Sequence, residues 1–178
     1  MINRGSLLVY GILAVATAAG IVTLIFTWSR GNQALEYWGT ESAFEIRHAA
    51  TIELITILQV EDPDIANDLA AFDLSNGSKK WKIIKRIDIT KARGLTHMQQ
   101  ALIEDASYQW GETDVSCTPE WKHALVFTGK KQPVTILIDL NCGQLIQQGK
   151  QQNLVASPIL KAGLQTVFDE QLNTGAGQ

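Results

Sequence analysis

The longest apolar segment of the chain lies near its N-terminus. Residues 7–28, which read LLVYGILAVATAAGIVTLIFTW, contain no charged side chain, and Arg4 and Arg30 lie on either side of the run. As a helix this run would span about 33 Å, which matches the roughly 30 Å hydrocarbon core of a bilayer. Trp28 suits the headgroup boundary at one end. The pattern therefore predicts a transmembrane anchor that contacts the lipid bilayer through residues 7–28.

A second interpretation of this run is a cleavable signal peptide, because the Ala-Thr-Ala triplet at 16–18 resembles a cleavage site. The strongly apolar residues at 21–28 favour an uncleaved anchor instead. A small excess of positive charge before the run places the remainder of the chain outside the cytoplasm. We therefore expect a single-pass protein of the cell inner membrane, with an anchor at 1–30 and an extracytoplasmic domain at 31–178.

After the anchor, the spacing of apolar residues predicts a helix and then strands. The helix covers 34–48 and is weakened by Gly39. Runs of β-branched and apolar residues predict strands at 51–60 and 81–89. The residues between them, 61–80, are mostly polar and predict a connection. The first half of the domain thus has the order α-β-β.

Capping residues predict two further helices. Thr90 is placed to cap one, whose apolar stripe begins at Leu95. Ser157 and Pro158 form a stronger start signal, since proline is favoured at the first helical position. The apolar face predicted for this last helix comprises Ile159, Leu160, Gly163, Leu164, Val167, Phe168 and Leu172.

Between these helices the pattern predicts a β-hairpin. Strands at 121–127 and 134–140 surround a short turn, in a register where Thr128 faces Pro133, and a short strand at 144–148 follows. Consecutive antiparallel strands exclude a parallel doubly wound sheet. The predicted fold class is α+β, with one antiparallel or mixed sheet of about five strands, helices over one face, and the transmembrane helix in front.

The two cysteines, Cys117 and Cys142, lie near the open end of this hairpin. The predicted register leaves them about two residues out of alignment, and the loop at 116–119 can bring their Cα atoms within disulfide range, about 4.4–6.8 Å. Separate buried thiols, or a metal site with His123, are the alternatives, although no C-x-x-C pair occurs. An oxidising location outside the cytoplasm favours the disulfide.

Composition and motifs argue against several function classes. The 178 residues have a net charge of −3 and no clustered basic face, so we expect no nucleic-acid partner. The sequence lacks a phosphate loop, a dinucleotide fingerprint, a nucleophile elbow and a zinc-protease motif, so we expect no catalytic residue, metal or cofactor. His48, His97 and His123 have ordinary explanations at a helix end, on a helix surface and at the edge of the core.

Three aromatic residues, Tyr108, Trp110 and Trp121, flank the loop that contains Cys117. Such a cluster forms either a secondary core beneath the loop or a recognition patch for a partner. If it is a recognition patch, these three side chains are the candidate interaction site.

Four segments of the chain carry a resemblance to known proteins. They are ALEYWGTESAFEI (34–46), ITKARGLTHMQQALIEDASYQW (89–110), CTPEWKHALVF (117–127) and ILIDLNCGQL (136–145). Their specific features are the two cysteines, the aromatic residues and Pro119. Together they resemble a family of small membrane-anchored bacterial proteins of unknown function. The resemblance implies a location that faces the cell envelope, and it assigns no reaction and no catalytic residue.

The sequence therefore favours a membrane-tethered, non-enzymatic interaction domain. It would act as an accessory or assembly factor with a protein partner in the cell envelope. The alternative is a small thiol- or metal-dependent sensor or enzyme that uses Cys117, Cys142 and His123.

Overall fold

The structure is a computed structural model that describes residues 4–30, 32–60, 69–71, 80–111 and 117–174. Internal contacts divide the chain into two units, 1–33 and 34–178. The first unit contains helix α1 (Arg4–Arg30). The second unit contains a β-sheet and four more α-helices among the described residues.

Helix α1 corrects the prediction of a membrane anchor. Its described side chains, from Tyr10 to Thr23, are exposed. In the part of the chain that the structure describes, no helix is both long and apolar enough to cross a membrane. The predictions of a transmembrane helix at 7–28 and of a single-pass inner-membrane location are therefore wrong. The predicted contact with lipid stays a prediction.

The second unit is α+β, built on one antiparallel sheet. Its strands have the spatial order β2-β3-β1-β4-β5-β6-β7. The sheet is wider than the five strands predicted, because β2 and β7 are too short to produce a visible alternation of apolar and polar residues. The strands are β1 (Thr51–Val60), β2 (Leu69–Ala71), β3 (Lys80–Asp88), β4 (His123–Thr128), β5 (Val134–Asp139), β6 (Gln144–Gln147) and β7 (Leu154–Val155).

The helices differ from prediction in two places. Gly39, with φ of 76°, divides the helix predicted over 34–48 into two. Thr90 is not a helix cap, because its side chain accepts a hydrogen bond from the Ile52 backbone N–H at 3.0 Å and donates to Asp88. The helices are α2 (Gln33–Trp38), α3 (Thr40–His48), α4 (Leu95–Leu102) and α5 (Pro158–Thr174), with a 3₁₀ turn at Asp105–Ser107.

The larger core lies between the helices and one face of the sheet. The sheet contributes Ile52, Leu54, Leu125, Phe127, Ile136 and Ile138, and the helices contribute Trp38, Ile46, Met98, Leu102, Leu164 and Phe168. A smaller buried cluster occupies the opposite face and consists of Ile55, Ile57, Trp81, Ala124, Leu137 and Ile146. Among the described residues, helix side chains belong to the first cluster and not to the second.

The register of the β4–β5 hairpin is the predicted one. Phe127 pairs with Val134 and His123 pairs with Ile138, which is the alignment expected if Thr128 faces Pro133. The turn residues and the alternation within both strands determine this register, because a slip by one residue would turn every apolar side chain to the wrong face.

A buried carboxylate of α3 accepts a hydrogen bond from the turn of this hairpin. Glu45 is only 2% exposed, and its Oε1 accepts a hydrogen bond from the Lys131 backbone N–H at 2.7 Å. Its Oε2 lies against Gly129, where a Cβ atom would overlap it. At the surface, Lys131 Nζ pairs with Glu41 at 2.9 Å. Glycine at 129 leaves the space that the Glu45 carboxylate occupies, and its φ is not positive.

Candidate functional site

Helices α4 and α5 pack against each other and against the same face of the sheet. Helix α5 starts as predicted, with Pro158 as its first residue and with Ser157 Oγ accepting a hydrogen bond from the Leu160 backbone N–H at 3.2 Å. Each helix buries one apolar stripe. The stripes consist of Leu95, Met98 and Leu102 in α4 and of Leu160, Leu164, Val167 and Phe168 in α5.

A groove of about 450 Å³ lies between these two helices. Gly163 is part of its wall, and a Cβ atom at this position would meet no atom within 4 Å, so the groove is open there. Ile159 also lines the groove and is 85% exposed. The fold therefore leaves an apolar side chain in water beside an open apolar groove. The other apolar lining residues are Met98, Ala101, Leu160, Leu164 and Val167.

Polar and charged side chains lie at the edge of this groove. Arg93 and His97 are exposed near the start of α4, and Glu170 approaches from α5. Among the residues that the structure describes, Arg93 has no ion-pair partner. The groove can therefore hold an apolar group while the Arg93 guanidinium binds a carboxylate on the same ligand.

The sequence pattern did not predict this groove. It indicates that Ile159 belongs to the buried face of α5, together with Leu160 and Leu164. Adjacent helical residues point about 100° apart, so Ile159 cannot share the direction of Leu160. The apolar stripe of α5 is thus wider than one buried face requires, and this excess width was the available signal. No feature of the sequence marked Arg93 as a residue at the edge of a groove.

The structure brings Cys117 and Cys142 together as a disulfide, as predicted. Their Cα atoms are 5.8 Å apart. Gln144 Nε2 donates to the Cys117 carbonyl oxygen at 3.3 Å, which joins this loop to β6. With both sulfurs in the disulfide, the described residues include no group of three His, Cys, Asp or Glu side chains that could hold a metal ion.

The three predicted aromatic residues do not form one cluster. Tyr108 and Trp110 are in contact, with ring centroids 5.5 Å apart, at the edge of the larger core. The Tyr108 hydroxyl donates to the Leu102 carbonyl oxygen at 2.6 Å, and burial raises the pKa of Tyr108 above its usual range. Trp121 packs against the smaller cluster on the opposite face of the sheet.

His123 lies at the edge of the core, as its position in the strand predicts. Its ring packs edge-on against Phe168, with centroids 5.2 Å apart. Burial lowers the pKa of His123 and nearby Lys122 lowers it further, while Asp139 and Asp169 oppose the shift. These surroundings favour the neutral imidazole, which is the form expected of a packed histidine.

The other two histidines have different surroundings. His48 stacks on Phe44 at 4.3 Å in the last turn of α3, and its Nδ1 lies 3.0 Å from the Phe44 carbonyl oxygen. His97 is an exposed lining residue of the groove.

Comparisons with known proteins do not assign this chain to a family. The resemblance to small bacterial proteins stays a prediction. The chain matches no family model, no curated protein and no solved structure.

Proposed function

We propose that this protein is a non-enzymatic interaction domain whose α4–α5 groove binds an apolar segment of a partner protein. The observation that supports this proposal is the exposed Ile159 beside the open groove. Burial of apolar surface is favourable by about 25 cal/mol per Å², so a partner that covers both Ile159 and the groove gains free energy. Exposed apolar concavities of this kind are typical of binding sites.

The charge at the edge of the groove determines the chemistry of the partner segment. Arg93 has no ion pair among the described residues, so it favours an Asp or Glu on that segment. A groove between two helices suits an amphipathic helix, whose apolar side chains recur on one face. The expected ligand is therefore a short amphipathic helix with an acidic residue next to its apolar stripe.

The side chains that could most readily take part in catalysis have structural roles instead, which also supports a binding function. The cysteines form a disulfide, the Tyr108 hydroxyl is bound to a backbone carbonyl, and the His123 ring is packed against Phe168.

Site-specific photocross-linking tests the proposal. A photoreactive amino acid is placed at Ile159 and, in a matched control, at Ile84, which is also exposed but lies on β3 away from the groove. The cross-linked segment is identified by mass spectrometry, synthesised, and titrated into the full-length protein. We expect a segment with an apolar stripe and an acidic residue that cross-links only from position 159.

Three substitutions then define the contact. Ile159→Asp and Gly163→Leu should each weaken binding of the synthetic segment by tenfold or more, on the order of 1.4 kcal/mol, whereas Ile84→Asp should not. Arg93→Glu should weaken binding, and a segment with lysine in place of its acidic residue should restore it. Equal cross-linking from both positions, a segment without apolar residues, or a cross-link to another copy of this chain would each overturn the proposal.

A further inference from the structure

The start of α5 is joined to the turn that contains one of the two disulfide sulfurs. Cys142 lies in the turn between β5 and β6, and the residue on either side of it contacts α5 or the chain just before it. The Asn141 carbonyl oxygen accepts a hydrogen bond from Lys161 Nζ at 2.9 Å. The Gly143 carbonyl oxygen accepts one from the Ala156 backbone N–H at 2.8 Å. The position of this turn therefore supports the start of α5.

The other half of the disulfide is connected to the same region through a side chain of β6. Gln144 Nε2 donates to the Cys117 carbonyl oxygen at 3.3 Å, and Gln144 Oε1 accepts a hydrogen bond from Asn153 Nδ2 at 2.8 Å. Asn153 comes directly before β7, which is followed closely by α5. Gln144 is buried. One buried side chain thus holds both the loop that contains Cys117 and the chain that leads into α5.

The supported end of α5 is also the end that presents Ile159 beside the groove. Ile159 follows Pro158, the first residue of α5. Ser157 closes this first turn, because its Oγ accepts from the Leu160 backbone N–H at 3.2 Å and its carbonyl oxygen accepts from the Lys161 backbone N–H at 3.0 Å. Helix ends fray more readily than helix interiors. Ile159 therefore lies in the part of α5 that opens first when its support is weakened.

We propose that the Cys117–Cys142 disulfide is a redox switch for binding in the α4–α5 groove, an inference that rests on the function proposed above. Both cysteines are partly exposed, so a dithiol reductant can reach the bond. One thiolate of the reductant attacks a protein sulfur and breaks the S–S bond, and the second thiol then displaces that sulfur from the mixed disulfide. Two electrons and two protons pass to the protein, which gains two thiols, and the reductant leaves as a cyclic disulfide. The freed turn supports the start of α5 less firmly, so binding beside Ile159 weakens.

Hydrogen exchange of the full-length protein tests this coupling without any ligand. The amides to follow are those of Leu160 and Lys161 in the first turn of α5. The reference is the Met98 amide, which donates to the Gly94 carbonyl oxygen in α4. On reduction with dithiothreitol, exchange at the two α5 amides should accelerate about tenfold or more relative to Met98. An equal change at all three amides would mean a general loss of stability, and no change would mean that reduction does not reach α5. Either result would overturn the proposal.

Sodium octanoate, which joins an apolar chain to a carboxylate, probes the groove itself. Its binding is followed through the backbone amide of Ala101, a lining residue, in ¹H–¹⁵N spectra, and Gly163→Leu, which fills the groove, is the control. We expect saturable binding to the oxidised protein with a dissociation constant on the order of 1 mM, and binding about fivefold or more weaker after reduction. No binding to the oxidised protein would refute the groove as an apolar site, whereas equal binding in both states would refute the switch alone.

One substitution separates the turn from α5 while the disulfide stays intact. Lys161→Met removes the ammonium group that donates to Asn141, and Lys161 does not line the groove. In the oxidised protein this change should accelerate exchange at Leu160 and weaken octanoate binding, as reduction does. It decides the question if the reduced protein does not stay folded. The control is Lys130→Met, which changes an exposed lysine in the β4–β5 turn. Equal effects of the two substitutions, or no effect of Lys161→Met, would rule out the coupling.

Discussion

The contact between Glu45 and Gly129 makes a quantitative prediction about stability. In Gly129→Ala the new Cβ would overlap Glu45 Oε2, so the carboxylate has to move away from the Lys131 backbone N–H. Loss of a hydrogen bond to a buried charged group costs about 1.5–3 kcal/mol. Alanine also lowers the conformational entropy of the unfolded chain, which stabilises the folded state by about 0.4–1 kcal/mol. We expect a net loss of about 1–2 kcal/mol in the free energy of unfolding.

The same substitution should behave differently once the carboxylate is absent. Glu45→Ala leaves the Lys131 N–H without its acceptor and costs about 1–3 kcal/mol by itself. It also removes the two Glu45 atoms that the Cβ at 129 would crowd, and leaves only the His48 carbonyl oxygen, at an ordinary contact distance of 3.5 Å. In this background Gly129→Ala should be neutral or stabilising, by up to about 1 kcal/mol. The two changes should therefore be coupled by roughly 2 kcal/mol.

Urea denaturation followed by tryptophan fluorescence measures the four free energies of this cycle. Gly163→Ala is the matched control, since a Cβ at 163 meets nothing within 4 Å and alanine is favoured over glycine in a helix by about 1 kcal/mol. That variant should be more stable than the parent. If Gly129→Ala were equally destabilising with Glu45 and with Ala at position 45, the steric explanation would be refuted.

Three further predictions follow from the described contacts. Replacing Cys117 and Cys142 by serine should lower the free energy of unfolding, measured by urea denaturation, by about 3–4 kcal/mol, because the disulfide closes a loop with a sequence separation of 25. A loss below about 1 kcal/mol would mean that the bond does not form. The pKa of His123 is lowered in the folded state, so stability should fall as the pH decreases below about 6.5, and pH-dependent denaturation of His123→Gln should lack this part of the slope. Burial raises the pKa of Tyr37 to about 12, so stability should fall as the pH rises from about 10 to 12, and Tyr37→Phe should reduce that fall.

The hairpin and the disulfide could be predicted from the sequence because local rules determine both. A short polar turn between two alternating strands permits one register, and that register places Cys117 and Cys142 at the same end. The start of α5 was predictable for the same reason, since Ser157 and Pro158 act within one helical turn.

Other features depend on contacts between distant parts of the chain. The Glu45 carboxylate meets the Lys131 backbone 86 residues later, and no local pattern marks an acidic residue as buried. Thr90 has the sequence of a helix cap, but its hydroxyl oxygen accepts a hydrogen bond from the Ile52 backbone N–H in β1 instead. The aromatic residues were close in sequence, yet the sheet separates Trp121 from Tyr108.

The α4–α5 groove departs from a fully satisfied fold in one respect. Ile159 is an apolar side chain that remains in water, so the free energy still to be gained there is hydrophobic. A partner that covers Ile159 and the groove gains this free energy, whereas a polar ligand does not.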